Sequence, residues 1–272
     1  LKNNIKKEWW KTFVQQRDDV VGIDGSIINH PMVWKASGHV DGFTDVLVDC
    51  SKCGMRYRAD QLIEDKLKLE TAGMSIDEIA KKLSEHKLKC QKCGNELSDP
   101  KRFNLMFSTH VGPVETSTSL AFLRPETAQI IFANFRLVTE NARLKLPFGI
   151  AQIGKAFRNE ISPRDFLFRM REFEMMEIEY FVHPEKQDEC PYINEVLDYE
   201  MNVLSAEMQN KKKKMEKLTI KECLSKKIIK TKWHGYWLAQ MHKWFADLGA
   251  SSEHFRIRQH VKDELSHYSK AT

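Results

Sequence analysis

Two stretches decide the fold: IAQIGKAFR at residues 150–158 and REFEMMEIEYFV at residues 171–182. Both are rich in apolar and β-branched side chains, and a polar loop that carries arginines joins them. Two long strands that follow one another in this way pair most simply as an antiparallel hairpin. We therefore predict an α+β protein, with an antiparallel β-sheet flanked by helices and this hairpin at its centre.

The hairpin is predicted to bring unlike side chains onto one face, because side chains on a strand alternate between faces. This face would carry Phe173, Met175, Glu177 and Glu179 from the second strand and Gln152, Gly154, Ala156 and Arg158 from the first. Carboxylates in an apolar strand are costly without a cationic partner. The pattern therefore predicts that something positive binds there.

The spacing along the second strand suggests an elongated ligand. Phe173 and Glu177 lie four residues apart, which is about 13 Å along a strand. That distance approximates the span from the adenine ring to the amino group of an aminoacyl adenylate, and an arginine between them could bind the phosphate with its bidentate fork. A sheet face whose charges pair with a neighbouring helix remains an equal alternative at this point.

The composition limits the classes of protein to which this chain can belong. The chain has 272 residues, of which 42% are apolar and 30% charged, with a net charge of +5. No apolar run approaches the roughly 18 residues that a membrane helix needs, so collagen-like, coiled-coil-only and transmembrane proteins are excluded. A nucleic-acid partner is permitted but not required. Because the first residue is Leu1 and not Met, we expect the sequence to be a piece of a longer protein.

We predict four regions along the chain. They are residues 1–49, a helix and a short strand; 50–100, an inserted Cys-rich subdomain with a helical middle; 101–186, the antiparallel sheet; and 187–272, a mainly helical insertion. The lysine run at 211–214 is predicted to be a solvated helix face or loop, with nucleic-acid contact as the less favoured alternative.

Two prolines support local predictions. Residues 27–34 are interpreted as a short strand, and Pro31 places that strand at a sheet edge or an interface. Pro125 is predicted to occupy the first position of a helix that has Glu126 in its first turn and runs to about Thr139.

Four of the six cysteines form a metal-like pattern. Cys50 and Cys53 form one Cys-x-x-Cys pair and Cys90 and Cys93 another, which suits tetrahedral Zn²⁺. The 36 residues between the pairs exceed the usual spacing, so free thiols or a disulfide remain alternatives. A filled set of four protein ligands predicts a structural zinc, and this use of cysteine favours a reducing, cytoplasmic compartment.

Three strings then identify a family resemblance. FRNE at 157–160 followed by REF at 171–173 resembles motif 2 of the class II aminoacyl-tRNA synthetases, and residues 152–181 are similar to the glycyl-tRNA synthetase version. SGHVDGF at 37–43 and LRPETAQ at 123–129 resemble the same family. The resemblance implies a class II synthetase-type sheet and a glycine–tRNA ligase activity.

The resemblance also implies roles for individual residues. It implies that ATP contacts Arg158, Asn159, Glu160, Phe168, Arg169 and Phe173. It implies that glycine contacts Arg58, Glu126, Phe173 and Glu177. In this family Arg158 and Glu160 are the catalytic pair: the arginine binds the α-phosphate, and the glutamate accepts a hydrogen bond from the adenine amino group. The ring of Phe173 would stack on adenine, and Arg169 would contact the ATP phosphates.

Partners follow from the same resemblance. Arg164 would contact the tRNA backbone, although pairing with Asp165 is an equal alternative, and Pro31 resembles the motif 1 proline of a homodimer interface. The implied partners and cofactors are tRNA(Gly), glycine, ATP, Mg²⁺ and structural Zn²⁺, with no membrane. Motif 3 and an anticodon-binding domain are not found, so this segment alone is expected to ligate weakly or not at all. A synthetase-like module that binds tRNA or protein without catalysis is the alternative.

Overall fold

The structure is a computed structural model that describes residues 1–69, 71, 73–163, 166–251, 253–266 and 269–271. It has a mixed α+β fold, in which the chain forms two compact units, Leu1–Phe181 and Val182–Thr272. None of the helices in this described part of the chain has the length and apolar content needed to cross a membrane.

The first unit contains the candidate site. Its described strands are β1 Val20–Ile23, β2 Ile28–Asn29, β3 Thr44–Asp49, β4 Arg56–Arg58, β5 Lys101–Asn104, β6 Ser108–His110, β7 Leu120–Leu123, β8 Phe148–Phe157 and β9 Glu172–Phe181. Its described helices are α1 Lys2–Trp10, α2 Pro31–Ala36, α3 His39–Gly42, α4 Ala59–Leu67, α5 Ile76–Glu85 and α6 Ala128–Ala142.

The predicted hairpin is confirmed. Strands β8 and β9 pair antiparallel from Phe148 opposite Phe181 to Phe157 opposite Glu172. The prediction of one antiparallel sheet is wrong in two respects. Strand β1 joins β8 in parallel, and the other strands of this unit form separate three-stranded sheets in the orders β2-β7-β6 and β4-β3-β5. The other strands are short and are joined by loops, so they form several small sheets instead of one large sheet.

The two faces of the β1-β8-β9 sheet have different neighbours. On one face, Lys6 of α1 donates to the Glu174 carboxylate at 2.6 Å, and Trp9 and Phe13 are buried. The other face carries Glu177 and Phe173, and α6 covers its far end through a cluster around Ile131. The sheet therefore has a structural face under α1 and a second face shared between α6 and the candidate site.

Both proline predictions need correction. Pro31 does not interrupt a strand but begins α2 at the first helical position, where its fixed φ is favourable. Helix α6 begins at Ala128, three residues later than predicted from Pro125. The carbonyls of Arg124 and Pro125 accept hydrogen bonds from Phe157 N and Arg158 Nε, which ties this segment to the end of β8.

The Cys-rich region has its own core. Helices α4 and α5 confirm the predicted helical middle, and they bury Ile63 and Ile79 against Val48 of β3. Its sheet, in the order β4-β3-β5, includes strands on both sides of residues 50–100. The region is therefore anchored by β3 and β5 to the chain that leads into the candidate site.

The second unit contains strands as well as helices. Its described elements are β10 Glu200–Leu204, α7 Ala206–Asn210, β11 Glu216–Thr219, α8 Ile220–Ser225, α9 Lys232–Asp247 and β12 Ile257–Arg258. The strands form a sheet in the order β11-β10-β12. The expectation of a mainly helical region therefore missed this sheet, whose strands are only two to five residues long. The 211–214 run begins just after α7 and is exposed.

A buried arginine ties the sheet to two neighbouring segments. The side chain of Arg124 is 2% exposed, and it donates to the carbonyls of Lys155 and Gly25, each at 2.7 Å. Burial lowers the pKa of Arg124, and the charges of Asp24 and Glu177 oppose that shift. The guanidinium fits because Gly154 has no side chain: a Cβ there would lie 2.2 Å from Arg124 Nη2.

Substitution Gly154→Ala should therefore destabilise the fold. The added methyl group must displace a guanidinium held by backbone carbonyls, so we expect a loss of about 1–3 kcal/mol in the free energy of unfolding, measured by urea denaturation. Gly42→Ala is the matched control, because a Cβ at Gly42 meets nothing within 4 Å. An equal effect of the two substitutions would contradict this account of Gly154.

Candidate active site on the hairpin

The strand register places the predicted side chains on one face. Phe173 lies opposite Ala156, and Glu177 lies opposite Gln152, so both point to the same side of the hairpin. Glu174 lies on the opposite face, where its carboxylate pairs with Lys2 and Lys6. Strand alternation therefore separates one structural glutamate from the carboxylates of the candidate site.

Arg158 is held in place at the end of β8. Its Nε donates to the carbonyl oxygen of Pro125 at 3.1 Å. The guanidinium carbon lies 5.2 Å from the ring centroid of Phe173 and 5.5 Å from that of Phe43, within the range of cation–π contacts. An arginine has five N–H donors, so a guanidinium fixed in this way can present the others to an anion.

Glu126 is one acidic group near this arginine. His39 Nε2 lies 3.4 Å from its carboxylate, and Gln129 donates to it at 3.1 Å. The hydrogen bond with His39 is the main influence that lowers the pKa of Glu126, and the charge of Arg158 acts in the same direction. The ring of His39 is oriented by Ser37, whose hydroxyl lies 2.8 Å from Nδ1. Glu126 is therefore prepared as an anion at neutral pH.

Glu177 is a second acidic group on the same face. The backbone N–H of Thr127 donates to its Oε2 at 3.0 Å, and the Thr127 hydroxyl donates to the same oxygen. Glu179 follows two residues later, and burial raises its pKa to about 7, with further contributions from the charges of Glu177 and Glu126. The face thus collects three carboxylates that influence one another, which suits a cationic group.

A second charged cluster lies beyond Arg158. Arg169 Nε is 3.9 Å from Glu160 Oε2, and Arg58 pairs with Asp45 at 3.0 Å and with Asp60 at 2.5 Å. Burial is the main cause that raises the pKa of Asp45, and the charge of Glu160 adds to it. The structure therefore brings Arg58 to the Glu160 end of the site, where two aspartates neutralise it; among the described residues it forms no ion pair with Glu126 or Glu177.

The remaining site predictions fall on the loop after β8. Asn159 N donates to the carbonyl of Leu105 at 2.8 Å, which anchors the start of this loop. The side chain of Phe168 is 95% exposed, so it is not packed with the ring of Phe173. Arg164, predicted to contact tRNA, lies outside the described residues.

The four cysteines of the Cys-rich region meet. Their sulfur atoms all lie within 4.8 Å of one another, with Cys50 Sγ 3.4 Å from Cys93 Sγ and Cys53 Sγ 3.6 Å from Cys90 Sγ. A tetrahedral zinc with bonds of about 2.3 Å requires sulfur–sulfur distances of roughly 3.8 Å, whereas a disulfide requires about 2.05 Å. The donor set therefore fits a metal ion, and all four thiols are free.

Three functional candidates were not predicted as site residues. His39 orients Glu126, Phe43 contacts Arg158, and Thr127 binds Glu177. Two of them belong to the SGHVDGF string, in which the sequence allows His39 either to line the site or to have a packing or turn role and assigns no role to Phe43. Thr127 directly follows Glu126, but its partner on β9 is 50 residues away, and only the folded structure shows that contact.

The chain can now be compared with known proteins. The family model of the tRNA synthetase class II core domain (G, H, P, S and T) matches residues 114–270, more than half of the chain. The chain therefore belongs to the class II tRNA synthetase family.

Curated relatives show which kind of class II synthetase the chain is similar to. Glycine--tRNA ligases of Bacillus anthracis and Caldanaerobacter subterraneus subsp. tengcongensis are 42% identical over 278 residues, and that of Geobacillus thermodenitrificans is 41% identical. Each alignment covers all of this chain and 50–51% of the relative. The resemblance to glycyl-tRNA synthetases is confirmed, and the chain spans about half the length of these relatives.

One solved structure is more distant. The RNA binding domain of threonyl-tRNA synthetase from Cryptosporidium parvum Iowa II is 15% identical, with a TM-score of 0.34 over 68% of this chain and 30% of that one. A similarity at this level says nothing about the arrangement of the site.

Proposed function

We propose that this chain is the catalytic portion of a glycine–tRNA ligase. In the full-length protein it would activate glycine with ATP to form glycyl-adenylate and transfer the glycyl group to the 3′ end of tRNA(Gly). The observation that carries this proposal is the arrangement on one sheet face. Phe173 lies at one end with Arg158 beside it, Glu177 lies four residues further along the same strand, and Glu126 lies near Arg158.

The amino-acid end suits glycine. An amino acid without a side chain offers only its ammonium and its carboxylate for recognition, and Glu126 and Glu177 would bind the ammonium. Thr127 and His39 would hold the two acids in place. A site that admits glycine can exclude larger amino acids by steric clash, which is an easier discrimination than the rejection of a smaller one.

The nucleotide end would perform the activation. Phe173 would stack on adenine, Glu160 would accept a hydrogen bond from its amino group, and Arg169 would contact the phosphates. An oxygen of the glycine carboxylate attacks the α-phosphorus as the bond to pyrophosphate breaks, and Arg158 stabilises the negative charge on the α-phosphate oxygens. Mg²⁺ bound to ATP would offset the charge of the outer phosphates.

Further assignments extend this proposal. The cluster of Cys50, Cys53, Cys90 and Cys93 would hold a structural Zn²⁺, since four thiolates leave no open position for a reactant. Arg58, which pairs with Asp45 and Asp60, is proposed to contact glycine. Contacts of Asn159 and Phe168 with ATP and of Arg164 with tRNA, a homodimer, a cytoplasmic location and the region boundaries remain proposals.

The test is glycine-dependent ATP–pyrophosphate exchange by the full-length protein. Substitution Glu177→Gln should raise KM for glycine about tenfold to a hundredfold, because a hydrogen bond to a charged group contributes about 1.5–3 kcal/mol. Glu174→Gln, on the opposite face of the same strand, should leave that KM unchanged. An absence of exchange by the unsubstituted protein would favour a binding module that has lost ligation.

A further inference from the structure

Glu179 is the acidic group for which the proposed reaction has no use. It lies on the site face of β9, between Glu177 and Phe181, and opposite Ile150 of β8. Phe181 packs against Phe135 of α6 with ring centroids 4.6 Å apart, so the next residue on this face belongs to an apolar cluster. Glu179 therefore lies where the polar site meets the core, and its side chain is only partly exposed.

Glu126 and Glu177, the other two acidic residues of this face, have hydrogen-bonding partners, whereas Glu179 has none among the described residues. Glu177 accepts two hydrogen bonds from Thr127, and Glu126 accepts one from Gln129 and lies beside His39. Among the described residues, no hydrogen bond or ion pair reaches the Glu179 carboxylate. A partly buried carboxylate without a partner is unfavourable as an anion.

Among the described residues near Glu179, no positively charged side chain pairs with its carboxylate. Its own strand presents Glu177, and the segment before α6 presents Glu126, with the titratable His39 behind it. Arg124, at the end of β7, interacts with Glu177 but donates its hydrogen bonds to backbone carbonyls.

The strands and the helix that pack around Glu179 add no unpaired cation among the described residues. On β8, the residues opposite the two glutamates are Ile150 and Gln152, and those of β1 beyond them are Val21 and Ile23. On α6, the exposed Arg136 and Glu140 pair with each other at 2.7 Å. Apart from the amide of Gln152 and the guanidinium of Arg124, which donates to backbone carbonyls, the described groups around Glu179 are therefore apolar or acidic.

We propose that Glu179 keeps its proton while the amino-acid site is empty, and that the ammonium group of the bound amino acid displaces that proton. This inference rests on the proposed function. The proton leaves the carboxyl group for the solvent, no covalent bond to carbon changes, and the ammonium keeps its three protons. Glu179 is thus a third acidic residue of the amino-acid subsite, and a bound cation favours its ionised form.

The charge balance explains why this exchange is favourable. With Glu179 protonated, the empty site carries the two negative charges of Glu126 and Glu177. After binding, three carboxylates and one ammonium give the same total, so a proton is exchanged for a cation without a change in the net charge of the buried face. Two carboxylates that share a site commonly have one strongly raised pKa, and the pKa of Glu179 is raised to about 7.

The ligand-free protein provides the first measurement. Between pH 4.5 and about 7, unfolded Glu179 loses its proton while folded Glu179 keeps it, so this residue makes stability fall as pH rises through that window. Glu179→Gln should remove this fall and unfold at a higher urea concentration than the unsubstituted protein at pH 8. Glu174→Gln is the matched control with the opposite sign, since Lys2 and Lys6 lower the pKa of Glu174 and its loss should destabilise at pH 8.

Proton release on binding is the second measurement. Titration calorimetry of the full-length protein with glycine, and with a non-reactive glycyl-adenylate analogue, is repeated in buffers of different ionisation enthalpy. At pH 7 a group with a pKa of about 7 is about half protonated, so we expect release of about half a proton per site. Release should be lost in Glu179→Gln and kept in Glu174→Gln.

The outcomes separate this inference from the proposed function. Equal proton release by the Glu179→Gln variant would overturn the inference and point to His39 as the source. Binding without proton release by the unsubstituted protein would overturn it as well. If neither ligand binds, the proposed function fails. The dependence of stability on pH in the ligand-free protein then still decides whether Glu179 holds a proton. An unchanged dependence in Glu179→Gln would overturn the inference.

Discussion

Replacement of Arg158 by alanine should reduce glycine-dependent ATP–pyrophosphate exchange by the full-length protein at least a hundredfold. The guanidinium is fixed by the Pro125 carbonyl and by the rings of Phe43 and Phe173. Removal of one preorganised donor that stabilises transition-state charge typically costs about 10²–10³ in kcat. The loss should fall mainly on kcat, because the charge on the α-phosphate oxygens develops as the bond to pyrophosphate breaks.

Two further variants make this result specific. Arg158→Lys keeps the charge but loses the planar fork, so it should recover only part of the activity. Arg136→Ala removes an exposed arginine that pairs with Glu140 on α6, and it should retain full exchange. Exchange by Arg158→Ala within threefold of the unsubstituted protein would refute the role proposed for this residue.

Replacement of Cys90 by serine should empty the metal site and unfold the Cys-rich region. The sulfur atoms of the four cysteines surround one point, and a structural zinc supplies much of the folding free energy of a small metal-binding region. We expect close to one zinc per chain in the unsubstituted protein and less than about 0.2 in Cys90→Ser, measured by elemental mass spectrometry. Limited proteolysis should then cleave within residues 50–100.

A cysteine outside the cluster provides the control. Cys223 is buried in the second unit, so Cys223→Ser makes the same chemical change away from the metal site. It should retain the zinc of the unsubstituted protein whatever it does to stability. Zinc well below one per chain in unsubstituted protein that was never exposed to a chelator would contradict the zinc proposal.

The parts of the fold that could be predicted are those with strong local patterns. The hairpin follows from two long runs of strand-forming residues, and alternation correctly separated Glu174 from Glu177. The paired cysteines were found by spacing alone. In each of these cases the information is contained within a short stretch of the chain.

The parts that could not be predicted depend on contacts between distant segments. Pro125 lies outside α6, and its carbonyl accepts a hydrogen bond from Arg158, which is 33 residues away in the sequence. The pairing of Arg58 with Asp45 joins two strands of the Cys-rich region, and the sequence around Arg58 does not indicate this partner. The parallel pairing of β1 with β8 joins residues about 130 positions apart, and no periodicity within either segment indicates it.

The short helix α3 has a consequence for how this sequence can vary. His39 at its start lies beside the carboxylate of Glu126, and Phe43 directly after it contacts the guanidinium of Arg158. Each residue added to or removed from a helix turns everything beyond it by about 100°. Insertions and deletions should therefore be absent between positions 39 and 43 in active descendants of this chain, even where individual side chains are exchanged.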